Sequence, residues 1–321
     1  MQYRSRADSL RMDRRRFAAI VNPIAGRRDA TRSVNEIRRL IEEAGGHLDV
    51  HQTRGAGHAI ELARQLGEQV DALLIVGGDG TVAEVMQGLG PGAAPFVILP
   101  TGTENLLARE LEMDGAAGRM AETLLRGTES AFDLGMVNGR RLATMGGVGF
   151  DAECVHLLSV ARRGHISYWS YVGPIGRTFL LHRFPHLRIE VDGEEVFSGQ
   201  GFVIFGNIGR YAIGLRILEQ AQYDDGLLDV AVFPCSSRWQ LALHAWSVAG
   251  RQHVGRGGVV YRQGRRMRID GEGCVPVQVD GEAAGFLPIE IEVLAKAVCF
   301  LRWRGEPLAS DQEKGVSRGS G

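Results

Sequence analysis

The stretch LLIVGGDGTVAEVMQGL, from Leu73 to Leu89, most constrains the fold, because an apolar run breaks at glycines and then continues with helical spacing. An unbroken apolar run is typical of a strand buried on both faces, and the glycines favour a tight turn leading into a helix. Thr81 and Glu84 have the T-x-x-E spacing of a capping box at the start of that helix. The segment therefore predicts a strand, a glycine turn and a helix in this order.

The alternation of short apolar runs and helical periods extends from Phe17 to about Arg126. A repeated strand-then-helix order predicts a parallel sheet with helices on both faces. From Ala131 onward, short strands are separated by glycine-containing turns, which is typical of a largely antiparallel sheet. We therefore predict a disordered basic arm at 1–15, an α/β domain at 16–130, a β-rich domain at 131–303 and a disordered tail at 304–321.

The charge and cysteine content bear on partners and location. The 37 Lys and Arg residues nearly balance the 38 Asp and Glu residues, so the net charge of -1 gives no support for nucleic-acid binding. The four cysteines are isolated and lack metal-binding spacing, which favours reduced thiols in the cytoplasm. No apolar segment reaches the roughly 18 residues that a membrane-spanning helix needs.

Three glycine-bearing turns follow predicted strands, at Asn22 to Gly26, Gly77 to Thr81 and Gly102 to Asn105. Each is a candidate anion site, because unpaired N–H groups at the start of a helix attract phosphate. The first turn is not a P-loop, since that motif needs a lysine and the first lysine of the chain is Lys296. Parallel sheets bind ligands at the carboxyl ends of their strands, so the three turns together predict one ligand site.

Asp79 places a carboxylate among the glycines of the second turn. A lone Asp at a helix start more commonly just interacts with the helix dipole, but Gly77, Gly78 and Gly80 are not needed for that. Beside a phosphate, a carboxylate can hold Mg²⁺ or accept a proton from an attacking hydroxyl. Both roles belong to phosphoryl transfer, which makes this turn a candidate catalytic element.

The motifs NPIAG, GGDGTVAE and LPTGTENLLA, in this order, resemble the catalytic domain of the diacylglycerol kinase and sphingosine kinase family of lipid kinases, including its soluble bacterial members. GGDGT alone is shared with NAD kinases and is similar to a phosphofructokinase motif. GGVGFDAECV, DDGLLDV and the DGE of VPVQVDGEAAGF are also similar to this family. The resemblance implies an NAD kinase- or phosphofructokinase-like α/β domain that binds nucleotide, followed by a β-rich, sandwich-like domain that binds lipid.

The implied activity is an ATP- and Mg²⁺-dependent transfer of phosphate to the hydroxyl of diacylglycerol or a related lipid alcohol, in phospholipid biosynthesis. Glu282 of the DGE element corresponds to the general base proposed for bacterial relatives, while the sphingosine-type branch assigns that role to the residue at Asp79. A structural Mg²⁺ site would use Asp225 with the main-chain carbonyls of Gln222 and Leu227. The implied nucleotide-binding residues are Asn22, Gly26, Thr53, Gly77, Gly78, Asp79, Gly80, Thr81, Glu84 and Thr103.

Several of these assignments have simpler alternatives. DGE is also the sequence of an ordinary hairpin turn with an exposed Glu, and VDGEEV at Val191 to Val196 contains such a turn. Glu104 stands where relatives usually carry a small residue, which leaves the nucleotide preference open. The aromatic segment with Tyr168, Trp169 and Tyr171 is either a core helix or a lipid-contacting surface.

The expected partners are a lipid substrate and the inner face of a membrane, contacted peripherally from the cytoplasm, with no nucleic acid. Two alternative functions stay open: an NAD kinase-like enzyme with a soluble substrate, and a lipid-binding protein without turnover. The identity of the lipid, the choice between Glu282 and Asp79 as base, and the oligomeric state are not determined by the sequence.

Overall fold

A computed structural model describes residues 14–25, 29–161, 176–254 and 258–303, without the side chains of 158–161 and 213. Gly26, the aromatic segment at 168–171, the tail at 304–321 and all of the arm except Arg14 and Arg15 lie outside these residues. Arg14 donates to the Gly127 carbonyl at 2.8 Å and pairs with Glu129 at 3.1 Å. The described chain therefore begins in contact with the end of the first domain.

Four parallel strands form the first sheet, in the order β2-β1-β3-β4. Every residue of β3 is buried, as expected for a central strand covered on both faces, and this explains its continuous apolar sequence. Helix α1 packs against α5, and α2 packs against α3. The bounds are β1 (Arg16–Val21), α1 (Asp29–Glu43), β2 (His47–Gln52), α2 (His58–Leu66), β3 (Ala72–Gly77), α3 (Asp79–Gly88), β4 (Phe96–Pro100), α4 (Leu106–Glu110) and α5 (Ala117–Arg126).

The last strand of the chain extends this first sheet. Strand β15 (Ile289–Arg302) pairs in parallel with β4 at Phe300 and Phe96, and antiparallel with β5 (Thr128–Val137). The β5–β15 register shifts between Leu294 and Val298, which marks a bulge in β15. The C-terminal strand thus connects the parallel sheet to the antiparallel half of the molecule.

The second half consists of antiparallel strands. Strand β9 pairs with β8 along its first part and with β7 and β10 along its last part, so it belongs to two layers. A buried cluster that includes Val203, Phe205 and Leu228 fills the space between them. The bounds are β6 (Arg140–Leu142), β7 (Met145–Val148), α6 (Phe150–Ala161), α7 (described at 176–181), β8 (His186–Val191), β9 (Glu194–Gly206), β10 (Leu228–Pro234), α8 (Arg238–Ala249), β11 (Val260–Gly264), β12 (Arg266–Gly271), β13 (Pro276–Val279) and β14 (Glu282–Phe286).

The fold class predicted from the sequence is confirmed. An N-terminal α/β unit with a parallel sheet precedes a C-terminal unit of antiparallel strands arranged as a sandwich. The change near Ala131 from alternating strands and helices to short strands corresponds to the passage from α5 into β5. Among the described residues, no helix is long and apolar enough to cross a membrane.

Candidate active site

The carboxyl ends of the four parallel strands meet at one edge of the first sheet. Backbone hydrogen bonds fix the residues that follow each strand: Asn22 N–H donates to Val76 O at 2.9 Å, and Thr53 N–H donates to Val21 O at 2.8 Å. Thr101 N–H donates to the Gly77 carbonyl at 3.0 Å. The structure thus brings the turns predicted from three separate motifs, together with Thr53, to one edge, where sheets of this kind bind ligands.

The glycine turns after β3 and β4 lie directly against each other. A Cβ atom on Gly102 would stand 2.7 Å from the Cα of Gly78, so no larger residue fits there. At Gly80, by contrast, a Cβ would meet no atom within 4 Å. Gly78 and Gly102 therefore allow the two turns to pack closely against each other. Gly80, by contrast, lines open space at the start of α3, where backbone N–H groups can bind an anion.

Thr81 and Glu84 do not form the predicted capping box. Helix α3 has Gly78 as its N-cap and no side-chain cap. The Glu84 carboxylate instead accepts hydrogen bonds from the N–H groups of Gly57 at 3.0 Å and Ala59 at 3.3 Å. That expectation was wrong because α2 packs against α3, and Glu84 reaches the unpaired N–H groups at the start of the neighbouring helix.

The buried Thr81 is held by the turn after β1. Asn22 donates its side-chain amide to the Thr81 hydroxyl at 3.0 Å, and the Asn22 carbonyl oxygen Oδ1 accepts the N–H of Ile24 at 3.1 Å. Thr101 donates its hydroxyl to the Ala25 carbonyl at 3.0 Å. The first, second and third motifs are therefore hydrogen-bonded to one another, and Thr101 is a connecting residue that the sequence analysis did not single out.

Asp79 lies between the second and third motifs. Its Oδ1 accepts the N–H of Leu106, the first residue of α4, at 2.6 Å. Burial raises the pKa of Asp79 above its ordinary value, while the N–H groups of Leu106, Asn105 and Leu107 act in the opposite direction. The charge of Glu104 raises this pKa further. Asp79 is thus a structural link as well as a candidate catalytic carboxylate.

Glu104 supplies a second carboxylate beside Asp79. Its Oε2 is buried and has no hydrogen-bond partner among the described residues. Two neighbouring carboxylates with an unpaired oxygen suit a hard divalent cation. No cluster of three or more His, Cys, Asp or Glu side chains in the described part of the chain can hold a metal. A Mg²⁺ ion here would therefore need oxygens from water or a phosphate to complete its coordination, which is usual for this ion.

Glu282 lies at the start of β14, directly after a two-residue hairpin turn. Asp280 and Gly281 have positive φ values of 53° and 77°, and Val279 faces Glu282 across the hairpin, as in a type I′ turn. Glu282 is exposed and accepts a hydrogen bond from Arg140 at 2.7 Å. Arg141, which follows Arg140 in β6, is hydrogen-bonded to the Gln87 side chain, so strand β6 places this hairpin beside the last turn of α3, at the other end of that helix from Asp79.

A second DGE hairpin has the same backbone geometry. Asp192 and Gly193 have φ values of 50° and 88°, and Val191 faces Glu194. In both hairpins the Asp carboxylate accepts two consecutive backbone N–H groups of another segment: those of Arg265 and Arg266 for Asp192, and those of Ala143 and Thr144 for Asp280. The backbone geometry of the hairpin therefore does not distinguish Glu282 from Glu194 as a candidate base; only the residues around each hairpin differ.

The predicted metal segment forms a tight turn before β10. Asp225 is exposed, and its Oδ1 accepts the N–H of Leu227 at 2.9 Å. Burial raises the pKa of Asp225, and the charges of Asp133 and Asp224 raise it further. Gln222 is exposed as well. The assignment of Gln222, Asp225 and Leu227 to Mg²⁺ stays a prediction.

Asp133 is the residue near this segment that the sequence analysis missed. It is fully buried in β5, and its two oxygens accept the N–H groups of Gly226 at 2.7 Å and Lys296 at 2.6 Å. It therefore holds both the turn that precedes β10 and the bulge of β15. The available signal was a single acidic residue within the apolar segment AFDLGMV, where a charge needs hydrogen bonds to be buried.

Comparison with known proteins agrees with this arrangement. Residues 16–137 match the diacylglycerol kinase catalytic domain, and residues 147–302 match the domain described as the YegS C-terminal NAD kinase beta sandwich-like domain. The chain belongs to the diacylglycerol kinase family. The family prediction made from the ordered motifs is therefore confirmed, and both halves of the diacylglycerol kinase fold are present.

Members of the diacylglycerol kinase family from several bacteria are similar over most of the chain. A diacylglycerol kinase of Mycobacterium tuberculosis is 29% identical over 304 residues, which cover 90% of this chain and 96% of the relative. A diacylglycerol kinase of Staphylococcus carnosus is 27% identical over 282 residues, covering 86% of this chain and 91% of the relative. A crystal structure of a diacylglycerol kinase from Bacillus anthracis has a TM-score of 0.68 at 21% identity and covers 91% of this chain and 98% of its own, which supports the fold.

Proposed function

We propose that this protein transfers the γ-phosphate of ATP to the hydroxyl of diacylglycerol or a related lipid alcohol, with Mg²⁺, at the cytoplasmic face of a membrane and in phospholipid biosynthesis. The coarser part, a lipid kinase, agrees with the family. The observation that carries the proposal is the Asp79–Leu106 hydrogen bond, which joins two glycine turns beside the unpaired carboxylate oxygen of Glu104.

The phosphates of ATP fit the turn between β3 and α3. The first N–H groups of a helix have no partner within it and carry partial positive charge. Gly80 is exposed and borders open space, so the backbone is accessible there. Asn22, Thr53 and Thr103 follow β1, β2 and β4 at the same edge of the sheet, and we assign them as additional polar contacts of the nucleotide. Thr81 and Glu84 hold the turn in place through contacts with Asn22 and α2.

Asp79 and Glu104 are the side chains that would hold Mg²⁺ next to these phosphates. A bound Mg²⁺ ion supplies charge that stabilises the transferred phosphoryl group. Asp79 is already oriented by the N–H of Leu106, so only one of its oxygens is occupied by that contact. The structural Mg²⁺ site at Asp225 is a separate proposal, supported by an exposed carboxylate on a tight turn.

Two carboxylates are candidates for the base that accepts the proton of the lipid hydroxyl. Asp79 has a raised pKa and lies beside the glycine turn. Glu282 is exposed and lies, through Arg140 and β6, beside the last turn of α3, so its support as the base comes from the resemblance of the DGE element to the family motif. Since Asp79 already has a positioning role and a cation to hold, we assign the base to Glu282 and the organisation of Mg²⁺ and phosphates to Asp79.

The proposed function is tested by offering the protein two phosphate acceptors, diacylglycerol and NAD. Purified protein is incubated with Mg²⁺ and ATP labelled with ³²P at the γ-position, with diacylglycerol in mixed micelles in one reaction and NAD in the other. Thin-layer chromatography is expected to show labelled phosphatidic acid and no labelled dinucleotide. Label in NADP would favour the NAD kinase alternative, and no label in either product would favour a lipid-binding protein without turnover.

A further inference from the structure

Helix α8 exposes large apolar side chains where a solvated helix carries polar ones. Trp239 is 83% exposed, Leu243 66% and Trp246 81%. Residues three and four positions apart lie on the same side of a helix, so these three side chains form one stripe. The opposite side of the helix is buried and carries Leu241, His244 and Val248.

The orientation of α8 is fixed by its buried side. The ring of His244 packs edge-on against Phe233, with ring centres 5.4 Å apart, and its Nε2 lies 2.8 Å from the Pro234 carbonyl oxygen. The Ser237 hydroxyl caps the start of the helix by accepting the N–H of Gln240. The stripe is therefore held outward by packing and cannot turn inward without breaking these contacts.

A second apolar element adjoins the stripe at the end of α7. Leu180 and Leu181 are each 63% exposed. Arg238, the first residue of α8, donates two hydrogen bonds to the Leu180 carbonyl, at 3.1 and 2.6 Å, so the two helices form one surface. Seven large apolar residues of the described chain are strongly exposed, and five of them lie here. We call this surface the apolar face: Leu180, Leu181, Trp239, Leu243 and Trp246.

The two segments that carry the apolar face also carry positive charge. Its two segments, 176–184 and 236–252, contain no Asp or Glu and four arginines, although the whole chain has a net charge of -1. All four arginine side chains are exposed. Clustered exposed apolar side chains mark interaction surfaces, and arginines on the same segments favour a negatively charged partner. The arginines are Arg177, Arg183, Arg238 and Arg251.

The chemistry of the face favours a lipid surface. Trp residues settle at the boundary between lipid headgroups and acyl chains, and arginine side chains extend toward headgroup phosphates. A second copy of the chain is less suitable, because a symmetric contact between two such faces would bring the same arginines together. Interfacial helices with an apolar stripe and a cationic border bind anionic membranes in this way.

We propose that the apolar face inserts into the surface of a bilayer that contains anionic lipid, with Trp239 and Trp246 at headgroup depth. The inference rests on the proposed function, because diacylglycerol resides in the bilayer and a kinase acting on it must contact that surface. The depth of insertion is about 5–10 Å, as for other interfacial helices. Contact through α7 and α8 would present the β-rich half of the protein to the lipid.

The test measures vesicle binding without nucleotide. The protein is floated with vesicles of phosphatidylcholine alone or of phosphatidylcholine with phosphatidylglycerol. We expect the double variant Trp239→Ala/Trp246→Ala to bind the anionic vesicles at least about tenfold more weakly than the wild type, since two interfacial side chains are lost. The control Ile24→Ala removes an apolar side chain that is 87% exposed outside this face and is expected to bind like the wild type.

A second variant tests the charge. Arg177→Glu/Arg251→Glu is expected to abolish the preference for anionic vesicles, and added salt is expected to weaken binding of the wild type. Unchanged binding of the double Trp variant would overturn the proposal. So would a lipid-independent dimer in sedimentation velocity that the double Trp variant converts to a monomer.

Kinase activity separates this inference from the proposed function. A short-chain diacylglycerol dissolved as monomers needs no membrane contact, so the double Trp variant is expected to phosphorylate it at the wild-type rate. If the wild type itself phosphorylates no lipid, the proposed function fails, while vesicle binding still decides the role of the apolar face. A loss of activity by the variant on the dissolved substrate would contradict a role restricted to membrane docking.

Discussion

The carboxylate of Asp79 accepts the N–H of Leu106 at 2.6 Å, so a single side chain joins the glycine turn after β3 to the start of α4. The two turns also touch through Gly78 and Gly102, where a Cβ atom on Gly102 would stand only 2.7 Å from the Cα of Gly78. The carboxylate is therefore fixed before any ligand binds. Preorganisation of this kind lets a charged group act on a phosphate without the cost of reorienting it.

The variant Asp79→Asn separates the charge of this residue from its hydrogen bond. An Asn side chain can still accept the N–H of Leu106, but it carries no charge for a cation or a proton. We expect phosphorylation to fall by about 100-fold or more, because the charge that organises Mg²⁺ and the phosphates is lost, with little change in melting temperature. Asp79→Ala also removes the acceptor and is expected to cost about 1 kcal/mol of unfolding free energy. An Asn variant with wild-type turnover would restrict Asp79 to its structural contact.

Glu84 is expected to act on stability rather than on nucleotide binding. Its carboxylate accepts two N–H groups at the start of α2, so Glu84→Ala leaves both without an acceptor. We expect a loss of about 1–2 kcal/mol in urea unfolding, with unchanged affinity of the folded protein for ATP. Glu61→Ala, an exposed change in the first turn of the same helix, is the control. Weaker ATP binding by a fully stable Glu84→Gln protein would restore the predicted direct contact.

The two DGE hairpins provide a matched test of the base. Glu282→Gln is expected to lower kcat by about 100-fold while leaving the KM for ATP unchanged, because only proton transfer is affected. Glu194→Gln changes the equivalent position of a hairpin with the same backbone geometry and is expected to have no effect. Equal turnover of both variants would falsify the assignment of Glu282 and leave Asp79 as the candidate.

The proposed Mg²⁺ site at Asp225 predicts a linkage between metal and stability. A ligand that binds only the folded protein raises its melting temperature. We expect Mg²⁺ to stabilise the wild type, chelation by EDTA to reverse this, and Asp225→Asn to remove the response. Asp224→Asn changes the neighbouring exposed carboxylate and is expected to keep the response. If Asp225→Asn retained the full metal-dependent shift, the ion would bind elsewhere, with Asp79 and Glu104 as the first alternative.

Local patterns predicted the first half of the fold because its strands and helices follow one another along the chain. The buried run of β3, the glycine turn and helix α3 lie where the sequence indicated. The pairing of β15 with β4 and β5 has no local signal, since β15 lies far along the chain from both partners. The bulge opposite Asp133 depends on that pairing and was equally inaccessible to sequence analysis.

In the candidate site, too, local features were predicted from the sequence and contacts between distant segments were not. Asn22, Gly78, Asp79 and Gly102 were found because glycine turns after strands have a recognisable composition. The partner of Glu84 was assigned incorrectly, because its acceptor role depends on how α2 packs against α3. The spacing of Thr81 and Glu84 predicted a contact inside α3, whereas Glu84 accepts unpaired N–H groups at the start of the adjacent helix α2.

Asp229 predicts a specific dependence of stability on pH. It is fully buried in β10, where one oxygen accepts the hydroxyl of Tyr261 at 2.5 Å and the side chain of Gln263 at 3.1 Å, while the other oxygen has no partner among the described residues. Burial raises the pKa of Asp229 from 3.8 to about 6. Between these values the folded protein holds the proton and the unfolded chain releases it, so stability falls as the pH rises.

The variant Asp229→Asn keeps an acceptor for Tyr261 and Gln263 but cannot ionise. Between pH 4 and pH 7 we expect the wild type to lose about 2–3 kcal/mol more unfolding free energy than this variant. Urea unfolding at intervals across that range measures the difference. Asp224→Asn is the control, because an exposed carboxylate contributes little to this slope. Parallel pH profiles of the wild type and Asp229→Asn would mean that Asp229 titrates alike in the folded and unfolded chain.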